Sequence, residues 1–215
     1  DGEYITDRLT DEAIAFMDAH KDGPFFLNLW HYAVHGPWGA KEEYVERFKD
    51  KKDPRGEQCN SILAAMLLSV DESLGRILEA LDRLGIADHT IVIFHSDNGG
   101  PSKALRKGHV CLEDWKTWGI PEDAPITSNA PLREGKGTNY EGGVRVPLMA
   151  CWPGVTPAGK VSDAIVRSED FYPTILDMVG VPKPAKQTID GSSFAGVLRD
   201  PSLKRDVPAF FPTQF

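Results

Sequence analysis

Cysteine is scarce in this sequence, and apolar runs are short. Three cysteines, Cys59, Cys111 and Cys151, stand far apart with no Cys-x-x-Cys pair among them. That spacing excludes a disulfide framework and a cysteine zinc site, and it predicts three buried thiols. No stretch approaches the roughly 20 consecutive apolar residues that a membrane-spanning helix needs. Cations are in the minority: 24 lysines and arginines face 32 aspartates and glutamates, a net charge of −8. An acidic chain repels polyanions, so neither nucleic acid nor an anionic membrane surface is an expected partner. A small anionic ligand is still compatible, because a few cations in a cleft outweigh distant carboxylates. Internal repeats and low-complexity tracts are also missing.

What is present suits a globular domain: 215 residues, 41% apolar and 26% charged, enough for one sizeable core. Ile5, Leu9, Ala13, Phe16 and Met17 fall at helical spacing, with Thr6 or Asp7 as cap and Gly23-Pro24 as stop. Phe25 to Tyr32 is nearly continuous apolar sequence, which predicts a strand buried on both faces of a parallel sheet. A charged loop over 36–56 with a short helix from Glu42 to Lys49 comes next. The longest predicted helix carries a stripe of Ile62, Met66, Val70, Leu74, Ile77, Leu78, Leu81 and Leu84, closed by Gly85. Thr90 to His95 and Val144 to Trp152 predict two more strands, and Ala164 to Val166 a short fourth. Ser168 is placed to cap a helix holding Phe171, Ile175, Leu176 and Val179, closed by Gly180. Residues 101–129 have no clean period, and a loop of that length points to function. The alternation predicts an α/β fold, a mostly parallel sheet flanked by helices.

Three segments carry candidate chemistry. Leu132 to Pro147 sets Lys136 between Gly135 and Gly137, then Gly142-Gly143, then Arg145 entering an apolar strand. Glycines beside a lysine let backbone and ammonium approach an anion closely. A phosphate-binding P-loop does not fit, because no Ser or Thr directly follows the lysine and no glycine stands at the required spacing before it. Asp97-Asn98 closes a predicted strand with a carboxylate and an amide oxygen, hard ligands for calcium or magnesium; Asp-Asn-Gly-Gly is also good turn chemistry. His35 closes another strand, and imidazole suits proton transfer near neutrality. His31 completes a His-x-x-x-His pair, but the segment reads as strand and lacks the glutamate of a zinc-protease helix. His31 is therefore expected to be structural or at a pocket wall, and His95 to be packed. Ligands of open α/β sheets bind beyond the carboxyl ends of strands, which brings His35, Asp97 and Asn98 to one edge. Trp38, Trp115 and Trp118 are candidates for a sugar- or aryl-binding surface.

These segments also resemble a known family. Pro24-Phe25-Phe26-Leu27 running to His35-Gly36-Pro37, Ile91-Val92-Ile93-Phe94-His95-Ser96-Asp97-Asn98-Gly99-Gly100, Ser128-Asn129-Ala130-Pro131-Leu132-Arg133 and Asp170-Phe171-Tyr172-Pro173-Thr174-Ile175-Leu176 occur in that order. Along nearly its whole length the chain resembles the sulfatases of the alkaline-phosphatase-like superfamily. The resemblance implies that Lys136 and His35 are catalytic and bind substrate. Lys136 would contact the sulfate and the leaving-group oxygen, and His35 would bind the sulfate and protonate the departing alkoxide. Asp97 and Asn98 would be metal ligands of a divalent-cation site, commonly calcium. Arg133, Glu141 and Arg145 are family-like, with Glu141 and Arg145 expected to brace the Lys136 loop as an ion pair. Asp71 and Gly75 are read as structural, with close packing at Gly75.

Sulfatases take their nucleophile from a Cys-or-Ser-x-Pro-or-Ala-x-Arg motif whose first residue is oxidised to formylglycine. None of the three cysteines begins that pattern, and the family's early paired aspartates are absent. The expectation is therefore a partial sulfatase catalytic domain over 1–215, with formylglycine and further metal ligands upstream and most of the C-terminal subdomain missing. The implied function is hydrolysis of sulfate monoesters by a full-length parent using formylglycine and a divalent cation. A small-molecule or carbohydrate sulfate ester is the implied partner, and this chain alone is expected to be inactive. Two alternatives stay open: a phosphonate or phosphodiester hydrolase of the same superfamily, and a non-catalytic degenerate or truncated binding fragment. An export signal would precede Asp1, and a parent carrying one would be periplasmic, secreted or lysosomal. The sequence does not specify an oligomeric state.

Overall fold

The computed structural model describes residues 2–102, 118–121 and 124–208. They form two compact units, Asp1–Ala87 with Asn98–Arg145, and Asp88–Asp97 with Val146–Phe215.

In the first unit α1 (Ile5–His20) and α2 (Glu42–Phe48) both pack on α3 (Ser61–Leu84). The Asn60 side chain starts α3 by accepting from the Leu63 amide at 3.0 Å, and Gly85 ends it at φ 71°, a left-handed cap. The buried faces differ from the apolar stripes. α1 buries Thr6, Thr10, Ala13 and Met17 while Ile5 is 48% exposed. α3 buries Ile62, Met66, Ser69, Ser73, Ala80 and Leu81 and leaves Leu78 exposed. Hydroxyl pairing selects these faces. Thr10 donates to the Thr6 carbonyl at 2.7 Å, and the Thr10 and Ser73 hydroxyls meet at 2.6 Å. Small paired hydroxyls let two helices approach with their polar atoms satisfied. Gly75 does not do this job, since a β-carbon there would meet open space.

The core of this unit gathers Val45, Ile62, Leu63, Ala65, Met66, Ile120, Ala124 and Ile126, with Trp38 and Trp118 packed against it. Side chains just ahead of α3 hold the segment that follows Ile126. Asn60 Nδ2 donates to the Ile126 carbonyl at 3.2 Å and Gln58 Nε2 to the Ser128 carbonyl at 2.7 Å.

The buried parallel strand expected over Phe25–Tyr32 does not form. The segment lies outside any ladder among the described residues and alternates in exposure. Phe26, Trp30 and Tyr32 are 69–78% exposed, whereas Phe25, Leu27, Leu29 and His31 are half-buried. Apolar content signalled two covered faces; the structure covers one, the period-two pattern of a half-buried strand.

In the second unit β1 (Val92–His95) pairs with β2 (Leu148–Cys151), Val92 opposite Cys151 and His95 opposite Leu148. This ladder is antiparallel, which corrects the mostly parallel sheet for the described residues. Residue type reports strand and burial, but not direction. β2 also starts later than predicted. Glu141–Val144 forms a helical turn, α4, and Pro147 has no N–H to give a ladder, though its carbonyl accepts from Ser96 at 3.2 Å. Ala164–Val166 joins no ladder. A 3-10 turn over Ser168–Asp170 leads into α5 (Phe171–Met178), with Gly180 at φ 70° after it, and α6 spans Ala195–Arg199. Ser168 does not cap α5, whose N-cap Asp170 makes no side-chain cap bond; the Asp170 carboxylate instead accepts from the Arg167 amide ahead of the 3-10 turn at 2.9 Å and from the Ser192 amide at 2.8 Å.

Two thiols expected to be buried are exposed, Cys59 and Cys151. Cys151 falls on the outward phase of β2, and Cys111 lies outside the described residues. No described helix is long and apolar enough to cross a membrane.

Candidate active site

The Lys136 loop and the turn entered at Asn98 are joined backbone to backbone. Lys136 N–H donates to the Gly100 carbonyl at 3.0 Å, Gly99 N–H to the Gly143 carbonyl at 3.0 Å, and Gly142 N–H to the Arg133 carbonyl at 2.8 Å. These approaches are closer than β-carbons permit. A methyl on Gly99 would stand 1.7 Å from the Gly142 oxygen, one on Gly142 2.0 Å from the Glu134 oxygen, and one on Gly135 2.2 Å from the Gly100 oxygen. The glycines near Lys136 thus act mainly by letting four stretches of chain touch. Lys136 itself is exposed, and among the described residues no carboxylate pairs with it. A compact ammonium on a braced loop is available to an anion.

Other braces surround it. Glu134 sits in the left-handed region at φ 61°, rare for a residue with a β-carbon, and its carbonyl accepts from Asn129 Nδ2 at 3.1 Å. The Arg133 guanidinium lies 3.8 Å from the Tyr140 ring centroid, a cation–π contact. The expected Glu141–Arg145 ion pair forms at 3.5 Å, with both side chains about two-thirds exposed. In that setting it contributes little, so the bracing comes from the glycines and Asn129.

His35 is exposed, and its Nδ1 lies 2.8 Å from the Gly36 carbonyl. A carbonyl only accepts, so Nδ1 carries the hydrogen and Nε2 is the position that takes or gives a proton. Trp38 covers this loop: a β-carbon on Gly36 would meet its ring at 3.0 Å, and its Nε1 donates to the Val34 carbonyl at 3.2 Å. Trp38 and Trp118 therefore have packing roles, and Trp115 lies outside the described residues. Among the described residues the hydrogen bonds of His35 stay within its own loop, and none joins it to the Lys136 knot. Asp97 is exposed and Asn98 half-buried; they are the last residue of one unit's segment and the first of the other's.

His31 has a structural role, whereas His95, expected to be packed, is exposed at the end of β1. His31 Nε2 lies 3.1 Å from Ser73 Oγ, extending the Thr10–Ser73 hydroxyl chain, and burial pushes its pKa below the ordinary histidine value. The His95 ring meets Phe171 at a 43° tilt, centroids 4.7 Å apart. Burial lowers its pKa too, opposed by the Pro147 carbonyl and Asp97. Among the described residues no three His, Cys, Asp or Glu side chains stand together as a metal cluster. Asp97 and Asn98, the metal ligands that the sequence suggests, number two against the roughly six to eight oxygens that calcium takes. A scan of cysteines alone passes over one further pattern: Ser102-Lys103-Ala104-Leu105-Arg106 spells the serine form of the nucleophile motif. Residues 103–106 lie outside the described residues. Ser102 itself is half-buried, its Oγ 3.0 Å from where a Gly135 β-carbon would stand.

The Sulfatase family model matches residues 1–181 of this chain. The chain belongs to the sulfatase family. A sulfatase of Formosa agariphila is 37% identical over 219 residues, covering 95% of this chain and 35% of the relative. Human steryl-sulfatase is 31% identical over 204 residues, covering 95% of this chain and 31% of the relative. The crystal structure of Ps i-CgsB in complex with k-i-k-neocarrahexaose superposes with a TM-score of 0.74 at 34% identity, over 92% of this chain and 39% of that one. Its neighbours among solved structures are sulfatases of the alkaline-phosphatase-like fold, which fixes the fold class. The chain spans about a third of the length of the curated relatives it matches.

Proposed function

We propose that the protein is a sulfuric ester hydrolase acting on sulfate monoesters, with Lys136 and His35 as its sulfate-side residues. The observation that carries this reading is an exposed lysine, with no carboxylate partner among the described residues, on a loop locked to Gly99 and Gly100 in a sulfatase-family chain. The Lys136 ammonium neutralises charge on the sulfuryl oxygens and on the departing oxygen. In its imidazolium form, with Nδ1–H on the Gly36 carbonyl, His35 gives its Nε2 proton to that oxygen as the S–O bond breaks and is left as the neutral Nδ1–H ring. Each contributes about 2–4 kcal/mol to the transition state, the range for preorganised donors.

A divalent cation, when bound, neutralises sulfate charge and activates a nucleophile. The Asp97 carboxylate and the Asn98 amide oxygen would hold it on this chain. Two donors do not complete a calcium shell; in this reading the remaining ligands come from residues other than these two, and without them the chain is inactive. A carbohydrate sulfate is the favoured substrate class, because Ps i-CgsB, 34% identical, was solved with an oligosaccharide. Relatives named as sulfatases support this reading over phosphonate or phosphodiester hydrolysis.

The test is hydrolysis of aryl and alkyl sulfates, with phosphonates and phosphodiesters as controls, in the calcium-loaded protein carrying its nucleophile. Lys136→Ala should lower kcat/KM on sulfates by about 10²–10³-fold. His35→Ala should slow alkyl sulfates more than aryl sulfates, whose leaving oxygen needs less protonation. Unchanged rates in both variants, or faster turnover of the phosphorus esters, would overturn the reading.

A further inference from the structure

We infer that Asn129 is a positioning residue for Lys136, acting by locking the backbone of the turn after Asn98 to the loop that presents the ammonium. The inference rests on the proposed role of Lys136 in binding sulfate. Asn129 spends both ends of its amide on this junction. Its Oδ1 accepts from Gly100 N–H at 3.0 Å, and its Nδ2 donates to the Gly100 carbonyl at 2.8 Å. The same Nδ2 donates to the Glu134 carbonyl at 3.1 Å. Glu134 is the residue in the left-handed conformation, two positions before Lys136. The Gly100 carbonyl also accepts from the Lys136 amide at 3.0 Å. One side chain thus pins three backbone groups that bracket the lysine.

Asn129 is itself fixed from behind. Gln58 donates to the Ser128 carbonyl at 2.7 Å and accepts from the Thr127 hydroxyl at 3.1 Å. Asn60, the cap of α3, holds the Ile126 carbonyl. The path runs from the start of the longest helix, through residues 126–128, to the Asn129 amide and then to the Lys136 backbone. Backbone joins residues 126–129, and the hydrogen bonds on either side of them all lie within one compact unit. An amide is needed at this position because the junction presents one donor and two acceptors. Aspartate would set a carboxylate oxygen against two carbonyls, and alanine would strip the Gly100 N–H and the Glu134 carbonyl of this partner and leave the Gly100 carbonyl to the Lys136 amide alone.

The test combines two readouts on Asn129→Ala, with Asn129→Ser as a milder variant should alanine prevent folding. The first is amide hydrogen exchange over 98–100 and 134–137, with α1 as reference. Positioning predicts faster exchange at Gly100 and Lys136 with α1 unchanged; uniform acceleration, or none, overturns the inference whatever the activity. The second is the affinity for inorganic sulfate in wild type, Asn129→Ala, Lys136→Ala and the double variant. Asn129→Ala should weaken sulfate binding by about tenfold, the scale expected when a binding group is slightly misplaced, and should add nothing once Lys136 is removed. If Lys136→Ala weakens sulfate binding and Asn129→Ala does not, the role of Asn129 fails alone. If Lys136→Ala has no effect, the sulfate-binding role of Lys136 fails, and the Asn129 inference falls with it.

Discussion

At the scale of single residues the site depends on atoms that are not there. Gly99, Gly135 and Gly142 each stand where a β-carbon would lie within about 2 Å of a carbonyl oxygen from another segment. Such a clash moves backbone rather than a flexible side chain. Gly99→Ala should therefore destabilise the protein by about 3 kcal/mol or more, beyond the usual cost of overpacking. Gly75→Ala, where a β-carbon meets open space, should instead be neutral or stabilise an α3 interior by up to about 1 kcal/mol. Urea denaturation of both variants checks the pair, and equal effects would show that the glycine knot is looser than the geometry says. The lysine between glycines was legible in the sequence, and so was its candidate role. The clamp by Asn129 was not, because an asparagine in a loop carries no periodic signal and its three partners are backbone groups.

At the scale of elements, α5 and the segment leading to Arg205 are tied through one buried carboxylate. Asp170 is fully buried and Arg205 nearly so, paired at 2.9 Å. Arg205 also donates to the Ile165 carbonyl at 2.5 Å and the Ser192 carbonyl at 2.7 Å. Burial by itself would raise the Asp170 pKa; Arg205 and the Ser192 and Arg167 amides outweigh it and hold the carboxyl below its ordinary value. A lowered folded-state value means this stabilisation is complete above the unfolded aspartate pKa of about 3.9 and is lost as pH falls through the folded value. Asp170→Asn should cost about 3–5 kcal/mol at pH 7, because it leaves Arg205 buried and unpaired. Below about pH 3.9 the gap to wild type should narrow. Urea midpoints at pH 7 and pH 3 would show this, and a constant gap would sink it. The sequence offered Ser168 as the cap; in the structure the Asp170 carboxylate instead ties the approach to α5, reaching two amides and a guanidinium at once. A serine hydroxyl cannot match that.

For the whole molecule, the question is what these residues supply by themselves. Calcium titrated into the 215-residue chain should bind more weakly than about 1 mM, the loose end of dedicated protein calcium sites. Isothermal calorimetry settles it, and a micromolar Kd would mean that the chain completes its own coordination shell. The same experiment separates a fragment from a self-sufficient enzyme without needing a substrate.

The sequence by itself determined the family, the helices α1, α2, α3 and α5, and the order of His35, Asp97, Asn98 and Lys136 along the chain; the short α4 and α6 escaped it. These follow from local residue types, from glycine at turns and from motif order, all of which are written in one dimension. Tertiary structure alone decided which helix faces are buried, the antiparallel direction of the β1–β2 pair, the exposed face of Phe26, Trp30 and Tyr32, and the clamp that aims Lys136. Each of those depends on which atoms from distant segments meet, and hydroxyl pairs, carbonyl oxygens and missing β-carbons leave no periodic trace in sequence.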